Sequence, residues 1–251
     1  MTSDPPLSPN GRDRAGINLF GKDVGTPMAS TAALESYPSW TRSRSAAALV
    51  LRYLDPMRGQ LIEWLGDEKL ANDSLTLLIG HLVTEGFGTS CRGLARDFLI
   101  RGLRSAAKAK IGLLPESVRP EIDFSGWLPD TPSWLTRWRG EILNRAWRDL
   151  ERQQHRVPTR PLFTLLRQAI ENPGETPEML AIRINTEGES QQVRVTPETI
   201  REWLIPAHRR FAELIWHEVA ETLERNDPQS VNEELRTLGL RQTVIKLKTA
   251  S

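Results

Sequence analysis

The chain has 251 residues, 39% of them hydrophobic, with 33 Lys and Arg set against 32 Asp and Glu. A net charge of +1 excludes binding by bulk charge alone, and a single cysteine excludes a disulfide framework or a thiolate zinc cluster. No apolar run approaches the ~20 residues of a membrane-spanning helix, and the opening MTSDPPLSPNGRDR lacks a secretory pattern, so a cytoplasmic protein is expected.

Residues 1–43 hold prolines at 5, 6, 9, 27 and 38 and show no apolar period. Such a segment buries too little surface to offset its ordering entropy, so it reads as a disordered leader. Near its end, Ser39 and Trp40 either dock on the folded part or lie exposed. From Ser45 the spacing turns helical through Ala48, Leu49, Leu51, Leu54, Leu61, Ile62 and Leu65, with a break or first-turn proline at Asp55-Pro56. A second helix is expected from Leu70 to Val83, stopped by Gly86 and Gly88, and a third from Arg92 to Ile111. The third has two faces: Phe98, Leu99, Leu103, Ala106 and Ala107 on one, Arg101, Arg104 and Lys108 on the other.

Residues 113–130 carry three prolines, one glycine and no period, and read as a linker. Thr131-Pro132-Ser133 then resembles an N-cap with proline at the first helical position, opening a helix from Trp134 to about Gln154. A shorter helix spans Leu162 to Ile170, and Thr-Pro-Glu starts at 176–178 and 196–198 open two more. The IRIN and QVRV runs between Ile182 and Val195 suit a small hairpin, the one strand signal in the chain. A long amphipathic helix is expected from Pro206 to Leu223, and the tail holds one further short helix, Val231 to Leu240. The fold class is therefore all-α. It divides into the leader (1–43), a first helical domain (44–112), a flexible linker (113–130), a second helical domain (131–225) and a tail (226–251).

Catalytic motifs are missing from the sequence: it has no phosphate-binding glycine loop, no GxSxG elbow, no HExxH and no Asp-x-Asp pair. His81, His155, His208 and His217 are scattered, and Cys91 has no histidine in range, so neither an enzyme nor a metal or cofactor site is expected. Charge is nonetheless uneven. Arg92 to Lys110 holds six basic residues and one acid, a local +5 that suits either phosphate contact or a solvated face. The paired starts at 177–184 and 197–205 make a loose helix-turn-helix, whose second helix would present its N-terminal end to a major groove. Residues 171–202, with seven Glu and three Arg, oppose unaided DNA binding there.

RGLARDFLIRGLR (Arg92 to Arg104) resembles the RGxFRxYLxxAL signature of bacterial sigma-70 family factors of the extracytoplasmic-function type. SWLTRWRGEILNRAWRDL (133–150), PAHRRFAELIWHEVAETL (206–223) and Leu238-Gly239-Leu240 look like a divergent branch of it. The resemblance covers roughly 44–240 with gaps. It implies a transcription initiation factor that binds core RNA polymerase, directs it to promoter DNA and is not itself a catalyst, with an anti-sigma or other regulatory protein as a further partner. By the same likeness Asp73, Thr76 and Leu77 would face polymerase. Arg96, Arg101, Arg104 and Lys108 would contact the −10 element, and Thr196, Thr199, Arg201, Arg209 and Arg210 the −35 region. The chain departs from the pattern at Asp73-Ser74-Leu75-Thr76, where the family's Gln is lost, and at Ala109, where an Asp is usual. It departs again at the insertion 185–195 and at Pro206, which is expected to kink or split its helix. These departures favour an alternative, a sigma-like interaction module that binds polymerase or a regulator without reading DNA.

Overall fold

A computed structural model describes Trp40 and residues 46–87, 92–187 and 194–249. These form ten α-helices: α1 (Ala46–Arg52), α2 (Leu54–Leu65), α3 (Glu68–Glu85), α4 (Ala95–Gly112), α5 (Pro132–Arg156), α6 (Leu162–Glu171), α7 (Pro177–Glu187), α8 (Pro197–Glu221), α9 (Pro228–Thr237) and α10 (Arg241–Thr249). Among the described residues there is no β-strand, only an isolated bridge between Leu94 and Leu223, so the fold is all-α. No helix among them is long and apolar enough to cross a membrane.

The boundaries follow local chemistry. The break near Asp55-Pro56 falls at Tyr53, and Pro56 takes a first-turn place in α2, where its missing N–H costs no helical bond. Gly66, at φ 62°, closes α2, and Asp67 caps α3 by accepting from Leu70 N at 2.8 Å. Both Thr-Pro-Glu starts open helices: the Thr176 hydroxyl accepts from Met179 N at 3.4 Å and that of Thr196 from Thr199 N at 3.2 Å. Thr131 occupies the N-cap position of α5 but gives no such bond, because its hydroxyl donates back to Leu128 O at 3.1 Å.

Three expectations are corrected. The IRIN half of the expected hairpin is helical, since Leu180, Ala181 and Ile184 are buried while Ile182 is exposed, a helical period rather than a two-residue one. Gly188 and Glu189 of the turn and Gln192 and Val193 of the QVRV half lie outside the described residues, as does Cys91. Pro206 does not split its helix: α8 runs from Pro197 through Pro206 to Glu221. The proline and Glu202, whose carbonyl loses its partner, are both exposed, so water can satisfy that carbonyl. The tail folds as two helices rather than one, with Leu238-Gly239-Leu240 the turn between α9 and α10 and Gly239 at φ 68°.

One hydrophobic cluster runs from Trp40 to Val244. Its largest fully buried side chains include Trp134 and Trp138 of α5, and Tyr53 stacks on Trp138 at 4.2 Å between centroids. The long helix α8 packs against α5, α6, α7, α9 and α10, while α3 packs against α1, α2 and α4. Helices from both sides of 113–130 share this cluster, with α2 against α5. Residues 113–130 have little regular structure, a single 3-10 turn at Glu116–Val118, yet Ile122, Phe124 and Trp127 pack on the core. The Trp127 ring stacks on Trp64 at 4.0 Å. Trp40 also docks, buried against Phe87 and Phe98, with its indole N–H donating to Gly93 O at 2.9 Å. A second, smaller cluster of Leu165, Leu180, Ala181, Ile184, Val195 and Ile200 joins α6, α7 and the start of α8.

Buried charge stitches the helices further. Glu218 of α8, 1% exposed, accepts from Arg52 of α1 at 2.7 Å and Arg145 of α5 at 2.9 Å. Arg96 of α4 meets Glu234 of α9 at 2.7 Å, and its Nη1 also donates to Pro129 O at 2.9 Å.

Candidate functional site

The first candidate surface is the α3–α4 hairpin. Gly102, Ser105, Ala106 and Ala109 present little bulk on the α4 side, and a Cβ added at Gly102 would stand 2.9 Å from Leu78 Cδ1. The two helices therefore lie close, and the line where they meet opens as a cleft of roughly 760 Å³. Leu77, Leu78 and Leu82 of α3 form one wall, Phe98 and Arg101 line the α4 side, and Phe87 closes an end. Adjoining it, a second hollow of roughly 610 Å³ is lined by Asp73, Thr76, Leu77, His81, Lys110 and Leu113 among others. Leu77, 41% exposed, and His81 line both hollows, so the two adjoin along α3. Asp73 is tied to Lys110 at 3.0 Å, and the Thr76 hydroxyl donates to Asn72 O of its own helix. The three residues expected to face polymerase thus share one hollow.

The four cations expected on α4 divide. Arg101 is exposed at the rim of the larger cleft, Arg104 is half-buried, and Lys108 is exposed with its Nζ 5.1 Å from the Phe124 ring centroid. Arg96 points the other way. It is 6% exposed and engaged by Glu234, Asp97 and Pro129 O, so it reaches no solvent-facing ligand while α9 is in place. Burial pushes the neighbouring Asp97 carboxyl above its ordinary range, against the pull of Arg96 and Arg101.

The second candidate surface is the α7–α8 pair. Asn185 pins the end of the connection, donating to Val195 O at 2.7 Å and accepting from Val195 N at 2.9 Å. This places the first turn of α8 against α7 on the small apolar cluster. Thr196 is occupied as the cap, its Oγ1 3.1 Å from that of Thr199. Arg201 is exposed but held by Glu178 of α7 and by Glu198, and both glutamates are drawn below their usual range, first by backbone hydrogen bonds and also by Arg201. Arg210 is turned toward α5, donating to Gln153 Oε1 at 2.7 Å and pairing with Glu213 at 2.8 Å. Arg209 is exposed.

Two features escape sequence reasoning. Glu234 lies 138 residues from its partner Arg96, so no local pattern exposes the pair. A third cleft, roughly 670 Å³, lies where α5 and α6 meet near Asp55, with Trp147 and Phe163 edge to face at 5.8 Å and Glu141 held by Arg148. Burial raises the Glu141 carboxyl above its ordinary range. Trp147 and Phe163 fall within the two expected helices at 134–154 and 162–170, but nothing local in the sequence places them together as the wall of a cleft. No cluster of metal-ligating side chains occurs among the described residues. No protein-family model, no curated protein and no solved structure matches this chain.

Proposed function

We propose that the protein is a sigma-like transcription initiation factor that binds core RNA polymerase and directs it to promoter DNA. The observation that carries the reading is the α3–α4 hairpin. It sets an apolar-walled cleft and the Asp73, Thr76 and Leu77 hollow beside a cationic edge of Arg101, Arg104 and Lys108. A protein partner on α3 and phosphates along α4 can be engaged together by one rigid element. The capped start of α8, steadied by Asn185 and the small apolar cluster, supplies a second element suited to a groove, with Arg209 free to join it. The weak intrinsic charge of that element is tolerable where polymerase supplies most of the affinity.

The reading divides the chain into a part over 44–112 and a part over 131–225, which would separate as they spread over polymerase and promoter. Arg96 would join the DNA contacts once α9 lifts. Transcription tests this directly. With core polymerase and a dependent promoter, R101E/R104E should lose at least tenfold in run-off product while its circular dichroism stays unchanged. Full run-off from that variant sinks the assignment.

A second reading is favoured by the Arg201 pairings. With both Glu178 and Glu198 holding the one cation on the first turns of α8, that end is neutralised, as suits a sigma-like module that binds polymerase or a regulator without reading DNA. Capture of core polymerase with no promoter-dependent product distinguishes it.

A further inference from the structure

Residues 235–251 contain Arg236, Arg241, Lys246 and Lys248 and no Asp or Glu, in a chain whose total charge is +1. The structure shows how these cations are displayed. Leu240, Val244 and Leu247 fasten α10 to the core along α8, so the rest of the helix surface faces outward. Arg236, Arg241 and Lys246 are exposed and make no ion pair among the described residues. About half of the other described arginines are neutralised by carboxylates, as at Arg52, Arg96, Arg145 and Arg201. Lys248 is held in place with its Nζ 4.9 Å over the Trp216 ring. At the α9–α10 turn, Arg139 of α5 lies beside Gly239, where a Cβ would stand 3.5 Å from Nη1.

These cations project from packed helices rather than from a loose tail, and Arg241 and Lys248 lie on one side of α10. Arg241 and Lys248 are seven residues apart, about 10 Å along a helix axis, or about three steps of a duplex at 3.4 Å each. A membrane surface suits the face less well. An interfacial helix needs its apolar side free to enter the lipid, and here that side is buried on α8 with only Ile245 left outside.

We propose that the α9–α10 hairpin is an additional nucleic-acid contact, in which Arg236, Arg241 and Lys246, flanked by Lys248 and Arg139, bind the phosphate backbone of duplex DNA without reading bases. The proposal rests on the promoter-directed reading above and adds a contact outside the α4 and α8 surfaces. Such a contact positions the protein and contributes salt-sensitive affinity, and it carries no sequence information.

The test is fluorescence anisotropy of the full chain with a labelled duplex of arbitrary sequence, titrated at several salt concentrations. R241Q/K246Q alters two exposed side chains and should retain the helical circular dichroism spectrum. We expect its affinity at low salt to fall about tenfold, and the slope of log affinity against log salt to shrink by about 1.8, two phosphate contacts' worth. R101Q/R104Q is measured in parallel. If that variant weakens and R241Q/K246Q does not, the hairpin contact is overturned and the sigma-like reading stands. If the wild-type chain binds no duplex at any salt, the hairpin contact is likewise overturned, and polymerase capture decides the sigma-like reading separately. Unchanged duplex binding, with loss of binding to vesicles containing anionic lipid, overturns the contact in favour of a membrane face.

Discussion

Glu234 has its carboxylate against the guanidinium of Arg96, both nearly out of reach of water. A buried pair of this kind need not stabilise a fold relative to a well-packed apolar pair, but removing one partner strands the other charge. Glu234→Gln should therefore lower the unfolding free energy by about 3 kcal/mol, measured by urea denaturation. Arg96→Met/Glu234→Leu should recover most of the loss. A neutral outcome for Glu234→Gln would show that the pair does not hold α9 to α4. Position 96 also marks where sequence reasoning stops. Arg96 stands three residues before Leu99 and seven before Leu103, on the apolar face rather than with Arg101 and Arg104, but nothing local in the sequence names the carboxylate on α9 that meets it there.

At the scale of elements, the closeness of α3 and α4 depends on the missing side chain at 102. Gly102→Val should cost about 1–3 kcal/mol by overpacking against Leu78, read as a lower melting temperature. An unchanged melting temperature would mean that the two helices adjust freely. Most helices were legible from spacing and caps, because an apolar stripe every three to four residues and a Thr-Pro or Asp start are local properties. The IRIN run was not. Alternation over four residues fits a strand, and only burial of Leu180, Ala181 and Ile184 against α6 and α8 settles the helical alternative. The break in the tail was hidden for the opposite reason: Leu238 and Leu240 are both buried on the core, so a turn through Gly239 reads as one continuous apolar period. The candidate α4 cations and the α3 hollow were readable as positions. The cleft between the two helices was not, since it depends on how near small residues let them come.

At the scale of the whole molecule, the helices before and after 113–130 are joined by α2 on α5, by Arg52 and Arg145 on Glu218, and by Arg96 on Glu234. A sigma-like action that spreads the two parts must break these joints, and the segment 113–130 must leave its seat. That seat has an optical consequence. The indoles of Trp64 and Trp127 lie nearly parallel, 25° apart, with centroids at 4.0 Å. Two identical chromophores so close share their excited states and should give a paired, opposite-signed band in the far-ultraviolet circular dichroism, where the strong indole transition lies. Trp127→Phe should abolish that band, and its survival in this variant would assign it to another pair, such as Trp134 and Trp138. Once assigned, the band is a label-free gauge of whether residues 113–130 have left their seat: under the proposed sigma-like action it should fade on addition of polymerase and promoter DNA, and it should persist when a ligand binds the closed chain.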